Sequence, residues 1–241
     1  MVESDIKQRF RQLNGVVLMP TYNNAKTLLQ VIDDVRRYAA DIMVVNDGCT
    51  DDTAALLASQ TDLHVIAYEC NRGKGYALKT GLREAARRGY AYAITIDSDG
   101  QHYADDIAVF VEAAEQSPNT LFVGARNLQA DNMPSKNTFA NKFSNFWYWA
   151  ETGIKLTDTQ SGFRLYPLAV LSNLHFITSR YEFEVEVLVR AAWKGIRVAN
   201  VPIKVYYPPA EERASHFRPA RDFTRIPLLN TYVVLLALLI S

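Results

Sequence analysis

The stretch Ala93-Ile94-Thr95-Ile96-Asp97-Ser98-Asp99-Gly100-Gln101-His102 sets two carboxylates at the end of an apolar run. Ala93, Ile94 and Ile96 read as a buried strand, and Gly100 permits a turn directly after Asp99. Side chains two apart on an extended chain share a side, so Asp97 and Asp99 would repel each other. A divalent cation removes that repulsion, and hard oxygen ligands suit Mg2+ or Mn2+. Such an ion keeps positions open for phosphate oxygens. An isolated Asp-x-Asp is more often a turn whose carboxylates bond backbone, so the surrounding elements must decide.

Those elements alternate. Residues 16–19, 42–45, 65–68 and 121–125 are apolar runs of strand length, as is the run before Asp97. Between them lie helical periodicities: Leu28, Ile32 and Val35 behind an expected Asn24 cap; Ala55, Leu56 and Leu57 behind Asp51; Leu78, Leu82, Ala85 and Ala86; Ile107, Phe110, Val111 and Ala114. This βαβ spacing predicts an α/β fold, a parallel sheet with helices on both faces. Ligands of such sheets bind beyond the carboxyl ends of the strands. The polar loops 20–24, 46–53, 71–75 and 97–102 would gather at that edge. No G-x-G-x-x-G follows the first strand and no G-x-x-x-x-G-K-[ST] occurs, which disfavours dinucleotide and P-loop chemistry.

The chain has 241 residues, 49% apolar and 22% charged, ordinary for a globular protein, and a formal net charge of zero. Nothing in that balance points to nucleic acid. Cys49 and Cys70 lack metal-ligand spacing and suit a reducing compartment without a disulfide. The opening Met-Val-Glu-Ser-Asp has no basic-then-apolar leader, so a cytoplasmic protein is expected.

The loops Pro20-Thr21-Tyr22-Asn23, Val45-Asn46-Asp47-Gly48-Cys49-Thr50-Asp51, Asn71-Arg72-Gly73-Lys74-Gly75 and Asp97-Ser98-Asp99-Gly100-Gln101-His102 follow in this order. Together they resemble the family 2 glycosyltransferases of the GT-A fold, and within them the dolichyl- or polyprenyl-phosphate sugar transferases. The likeness runs from Gly15 to about Arg225 and is strongest up to Arg126. It implies a Rossmann-like, mostly parallel sheet flanked by helices. It also implies a UDP- or GDP-sugar donor, gripped by Pro20, Thr21, Tyr22, Asn23 and Asp47, with Lys74 near base or phosphate. Asp97, Asp99 and Gln101 match D-x-D-x-Q and would hold Mg2+ or Mn2+, with Ser98 between them against the donor. Arg126 would approach the sugar or the acceptor phosphate. Cys49 stands where the family usually has Ser; both are small, and no functional change is expected.

The second half is rich in aromatics between 133 and 151: Phe139, Phe143, Phe146, Trp147, Tyr148 and Trp149. A helix lying on a membrane reads this way, and so does one buried or facing a partner. The lipid-phosphate branch carries a further Arg here; Thr138 aligns with it, with Lys136 and Lys142 nearby. Asp158-Thr159-Gln160-Ser161-Gly162-Phe163-Arg164 resembles the family's D-x-x-S-G-F-R, which puts Ser161 and Arg164 at phosphates or the acceptor entrance. Glu182, Glu184 and Glu186 suit a helix start. A hydroxyl acceptor would need a general base, Glu184 or else Glu182, whereas an ionised lipid phosphate needs none. Residues 198–207 read as strand, Pro202 break, strand. The resemblance makes the loop holding Arg213, His216 and Arg218 a segment that closes over the diphosphate.

The expected protein is therefore a metal-dependent inverting sugar transferase with Asp97, Asp99 and Glu184 as its catalytic set. Its acceptor would be a polyprenyl phosphate or, alternatively, a hydroxyl of a lipid-linked glycan. A catalytically inactive nucleotide-sugar-binding subunit is a remoter reading. A nucleotidyltransferase is disfavoured, because no Gly-rich basic loop follows the first strand. Residues 1–220 would form the transferase domain. Residues 221–241 would form an amphipathic or apolar helix, for the inner face of the cytoplasmic membrane or a second subunit.

Overall fold

The computed structural model describes residues 2–126 and 135–206, the side chains of 135–140 excepted. The elements run α1 (Glu3–Gln12), β1 (Gly15–Thr21), α2 (Leu28–Arg36), β2 (Ile42–Asn46), α3 (Thr53–Ala58), β3 (His64–Ala67), α4 (Lys74–Arg87) and β4 (Tyr92–Thr95). They continue with α5 (Ile107–Gln116), β5 (Leu121–Arg126), α6 (Ser135–Thr152), β6 (Arg164–Pro167), α7 (Leu168–Leu171), α8 (Glu182–Trp193) and β7 (Val198–Ile203). The strands form one seven-stranded sheet in the order β3-β2-β1-β4-β6-β5-β7. All pairings are parallel except those of β6, which lies antiparallel between β4 and β5.

β1 is buried along its whole length, as a central parallel strand should be. Its alternation feeds two cores. Val16 and Leu18 face the layer that contains α4, α7 and α8. Val17 and Met19 face the layer of α1, α2 and α5. The expected strands of the first half all form, each within a residue or two of its apolar run.

Two local expectations are corrected and two unassigned elements added. Asn24 does not cap α2; its side-chain amide donates to Ser98 Oγ, and the helix starts later, at Leu28. Residues 3–12 form a helix whose Ile6 and Phe10 are buried, although no strong periodicity announces it. Arg164-Leu165-Tyr166-Pro167, given no element in the sequence reading, is strand β6. Pro202 does not break its strand: it pairs with Ala125 within β7. β7 ends the sheet, and a proline without N–H is tolerated on such an edge.

Candidate active site

The carboxyl ends of β1, β2 and β4 bring three of the four polar loops together. Ser98, 1% exposed, is the tie. Its hydroxyl lies 3.1 Å from Thr21 Oγ1 and 3.3 Å from the Pro20 carbonyl, and accepts from Asn24 Nδ2 at 2.9 Å. Thr27 Oγ1 donates to the Ser98 carbonyl at 2.6 Å. Asn23, at φ 54°, accepts from Thr50 N at 2.8 Å through its side chain. Its own N–H donates to Cys49 Sγ, so Cys49 serves as a small acceptor there. Thr21 and Ser98 thus fasten the two loops from within, and Pro20 is buried beside them. Tyr22 and Asn23 keep partial exposure at the rim.

Asp47, 2% exposed, joins the second loop to the third. Its carboxylate accepts from Arg72 N and Gly73 N, each at 2.8 Å, and from Asn71 Nδ2 at 3.0 Å. Burial pushes its carboxyl up, against the pull of those amides. Asp47 thereby holds the Asn71–Gly73 turn. Arg180, exposed, is close enough for its charge to act on Asp47. Nothing in the sequence marked Arg180, which precedes α8 outside any motif.

Gly73-Lys74-Gly75 then opens α4. The glycines are needed for contact: a Cβ at Gly75 would fall 2.3 Å from the Arg180 carbonyl, and Gly73 sits at φ 98°. Lys74 turns inward. Its Nζ lies 2.8 Å from Asp97 Oδ1, 3.0 Å from Oδ2 and 3.3 Å from Glu184 Oε1. Gly162 packs against all three groups; a Cβ there would meet Asp97 Oδ2 and Lys74 Nζ at 2.7 Å and Glu184 Oε1 at 3.1 Å. Burial works against the Lys74 charge, but Asp97 and Glu184 outweigh it and hold the ammonium above its ordinary range. Asp97 would be raised by burial alone; Lys74 reverses that and holds it below the usual carboxylate range.

Among the described residues Asp99 has no such partner. Burial, with the neighbouring Asp97 charge, pushes its carboxyl up to about 6. One oxygen accepts from Gln101 N at 3.0 Å, which closes the turn. The imidazole of His102 is pushed down to about 4 by burial, and its Nδ1 is buried without a hydrogen-bond partner. Asp99, a carboxylate short of positive charge two residues from Asp97, is the kind of hard oxygen ligand a divalent cation takes.

Arg126 and Arg164 are both engaged by protein groups. Arg126 Nε lies 2.6 Å from Asp158 Oδ2 and its NH2 3.1 Å from Oδ1. Asp158 is fully buried and also accepts from Asn141 Nδ2 at 2.7 Å, Gln160 N at 2.9 Å and Ser161 N at 3.2 Å. Arg164 is fully buried, and its nitrogens donate to the carbonyls of Ser161, Glu184 and Thr159. Ser161, 1% exposed, caps the N–H of Phe163. The D-x-x-S-G-F-R motif is thus a folding device that aims β6 between β4 and β5 and lays Gly162 over Lys74. Asp158, the centre of that network, was read from the sequence only as a motif letter. Arg213 and His216 lie outside the described residues.

The description "Glycosyl transferase family 2" matches residues 16–174. The chain belongs to that family. This family 2 glycosyltransferase is 29% identical to the UDP-N-acetylglucosamine–dolichyl-phosphate N-acetylglucosaminyltransferase of Methanococcus voltae, over 79% of this chain and 85% of the relative. It is 29% identical to the polyprenol monophosphomannose synthase of Mycolicibacterium smegmatis, over 78% of this chain and 76% of the relative. Its fold is similar to that of glucosyl-3-phosphoglycerate synthase from Mycobacterium tuberculosis, solved with Mn2+, UDP and phosphoglyceric acid. The TM-score is 0.70 at 20% identity, over 97% of this chain and 81% of the other. The glycosyltransferase thus has the GT-A architecture, with the antiparallel β6 as part of it.

Proposed function

We propose that this enzyme transfers a sugar, with inversion, from a UDP- or GDP-sugar to a polyprenyl or dolichyl phosphate. Family membership and relatives named for lipid-phosphate acceptors support the reaction. One observation carries the choice of acceptor: Glu184 is 6% exposed and ion-paired to Lys74. A carboxylate so committed is not poised to take a proton from a hydroxyl. A lipid phosphate is already ionised near neutral pH and attacks the anomeric carbon without a base. The new C1–O bond forms as the bond to the nucleoside diphosphate breaks.

Asp97, Asp99 and Gln101 would hold Mg2+ or Mn2+. The ion would stabilise negative charge on the departing diphosphate. Asp47, by fixing the Asn71–Gly73 turn, and Ser98, by fixing the first loop, shape the donor side of the cleft. The half-buried Tyr22 and Asn23 and the exposed Arg180 are groups there that could meet base and phosphate. Arg213 and His216 would close over the diphosphate.

Among the described residues no helix is long and apolar enough to cross a membrane. α6 is two-sided: Asn141, Ser144 and Tyr148 are buried, while Phe146 is 53% and Trp149 44% exposed. An acceptor held in a bilayer suits contact through those aromatics at the inner face of the cytoplasmic membrane, aided by the apolar segment 221–241. That segment could equally pair two subunits.

The deciding experiment is a donor screen. UDP- and GDP-sugars are scored by melting shift with and without Mn2+, followed by transfer to a short polyprenyl phosphate. A metal-dependent shift with one donor, and product on the lipid phosphate, is expected. Transfer only to a lipid-linked glycan hydroxyl would replace the acceptor assignment.

A further inference from the structure

Lys74 stands where an isolated cation is least favoured. It is the first residue of α4, at the positive end of the helix dipole. A lysine on a helix ordinarily extends its ammonium to water. This one is drawn inward instead, its side chain 19% exposed, against both oxygens of Asp97 and one of Glu184. Gly162 seals the cluster, its backbone too close for any side chain. Lys74 therefore occupies the electrostatic place of a cation on the carboxylate that the proposed function gives to a divalent ion.

We propose that Lys74 is an internal counterion that holds Asp97 against free divalent cations and yields it only when cation and nucleotide diphosphate arrive together. This rests on the reading of a metal-bound nucleotide-diphosphate donor. A free dication would have to push the part-buried ammonium off Asp97 and leave it on Glu184 alone, which is unfavourable. The diphosphate changes the balance in two ways. It supplies further oxygen ligands to the cation, and it offers its own negative charge to the displaced ammonium. Lys74 thereby couples the two binding events, and the coupling acts equally in both directions.

The test is Mn2+ binding to the full chain, read by electron paramagnetic resonance of the free ion. It is measured with the ion alone and with saturating UDP or GDP. Wild type is expected to bind Mn2+ weakly alone and far more tightly with the matching nucleotide. Lys74→Gln is expected to bind Mn2+ alone on the order of tenfold more tightly, because Asp97 is released. The tightening produced by the nucleotide should shrink by a similar factor, on the order of tenfold. Lys74→Gln/Glu184→Gln removes one charge of each sign and keeps the experiment readable if the single variant does not fold. It should bind Mn2+ alone more tightly than Glu184→Gln does. Unchanged Mn2+ affinity on removal of Lys74, with nucleotide coupling intact, overturns the inference and leaves the proposed function standing. No binding of Mn2+ with either nucleotide in wild type refutes the metal-bound donor and the inference with it.

Discussion

Arg126 Nε lies 2.6 Å from Asp158 Oδ2, in a two-point pair whose carboxylate is wholly buried. The pair joins the end of β5 to the turn that feeds β6. It gives an arginine expected at a substrate phosphate a buried carboxylate partner within the protein. Burial would raise the Asp158 carboxyl, and the Arg126 hydrogen bonds reverse this and hold it below its ordinary range.

Breaking this pair from the carboxylate side should therefore act on folding. Asp158→Asn leaves Arg126 facing an uncharged group and strips Asn141, Gln160 and Ser161 of a charged acceptor. The expected loss is about 3 kcal/mol or more, read from urea midpoints at constant slope. Loss of turnover with unchanged stability would return Arg126 to the substrate.

Asp99→Asn should separate catalysis from stability. In metal-free buffer the folded carboxyl titrates near 6, above the ordinary 3.8. The folded state therefore binds its proton more tightly than the unfolded one, and wild type loses stability as pH rises from about 4 to about 6. Above that window the variant should melt at or above wild type, by up to about 2 kcal/mol, and below it the two should coincide. Transfer should fall on the order of a thousandfold or more. A variant with full activity would remove Asp99 from the metal site.

Glu151 offers an independent pH test. Both of its carboxylate oxygens are buried without a hydrogen-bond partner, and burial pushes it up to about 7 from 4.5. The sign is the same as for Asp99: ionisation costs the folded state, so stability falls as pH rises through this window. Glu151→Gln should flatten the fall in melting temperature between pH 5 and pH 8, by about 1–2 kcal/mol after allowance for partial exposure. An equal slope in both proteins would show the carboxylate to be solvated.

Gly75→Ala should be disproportionately damaging for a one-carbon change. Its Cβ would fall 2.3 Å from the Arg180 carbonyl and 2.6 Å from Phe183 Cβ. The link before α8 must then move off α4, at about 2–3 kcal/mol, measured by chemical denaturation. Because that link helps place Glu184 against Lys74, nucleotide-dependent Mn2+ binding should weaken too. A neutral substitution would mean that the two segments separate freely.

The sequence by itself determined the first-half scaffold. Apolar runs such as Val16-Val17-Leu18-Met19 can satisfy two faces only as central strands between helical layers, so order and spacing sufficed. It also located the cleft, because loops following parallel strands must share one edge. Four motifs in order named the family. What the sequence could not give is which polar groups face inward. Ser98, Asp47, Arg126 and Arg164 are of ligand-binding type, yet each is bonded to protein atoms from distant segments. Such partnering is a long-range property: Lys74 meets Asp97 and Glu184 only because α4, β4 and α8 converge beneath Gly162. β6 was missed for the same reason. An antiparallel strand four residues long has no periodicity to read, and Arg164 at its start becomes tolerable only when the carbonyls of Thr159 and Ser161 in the preceding turn and of Glu184 in α8 receive its donors.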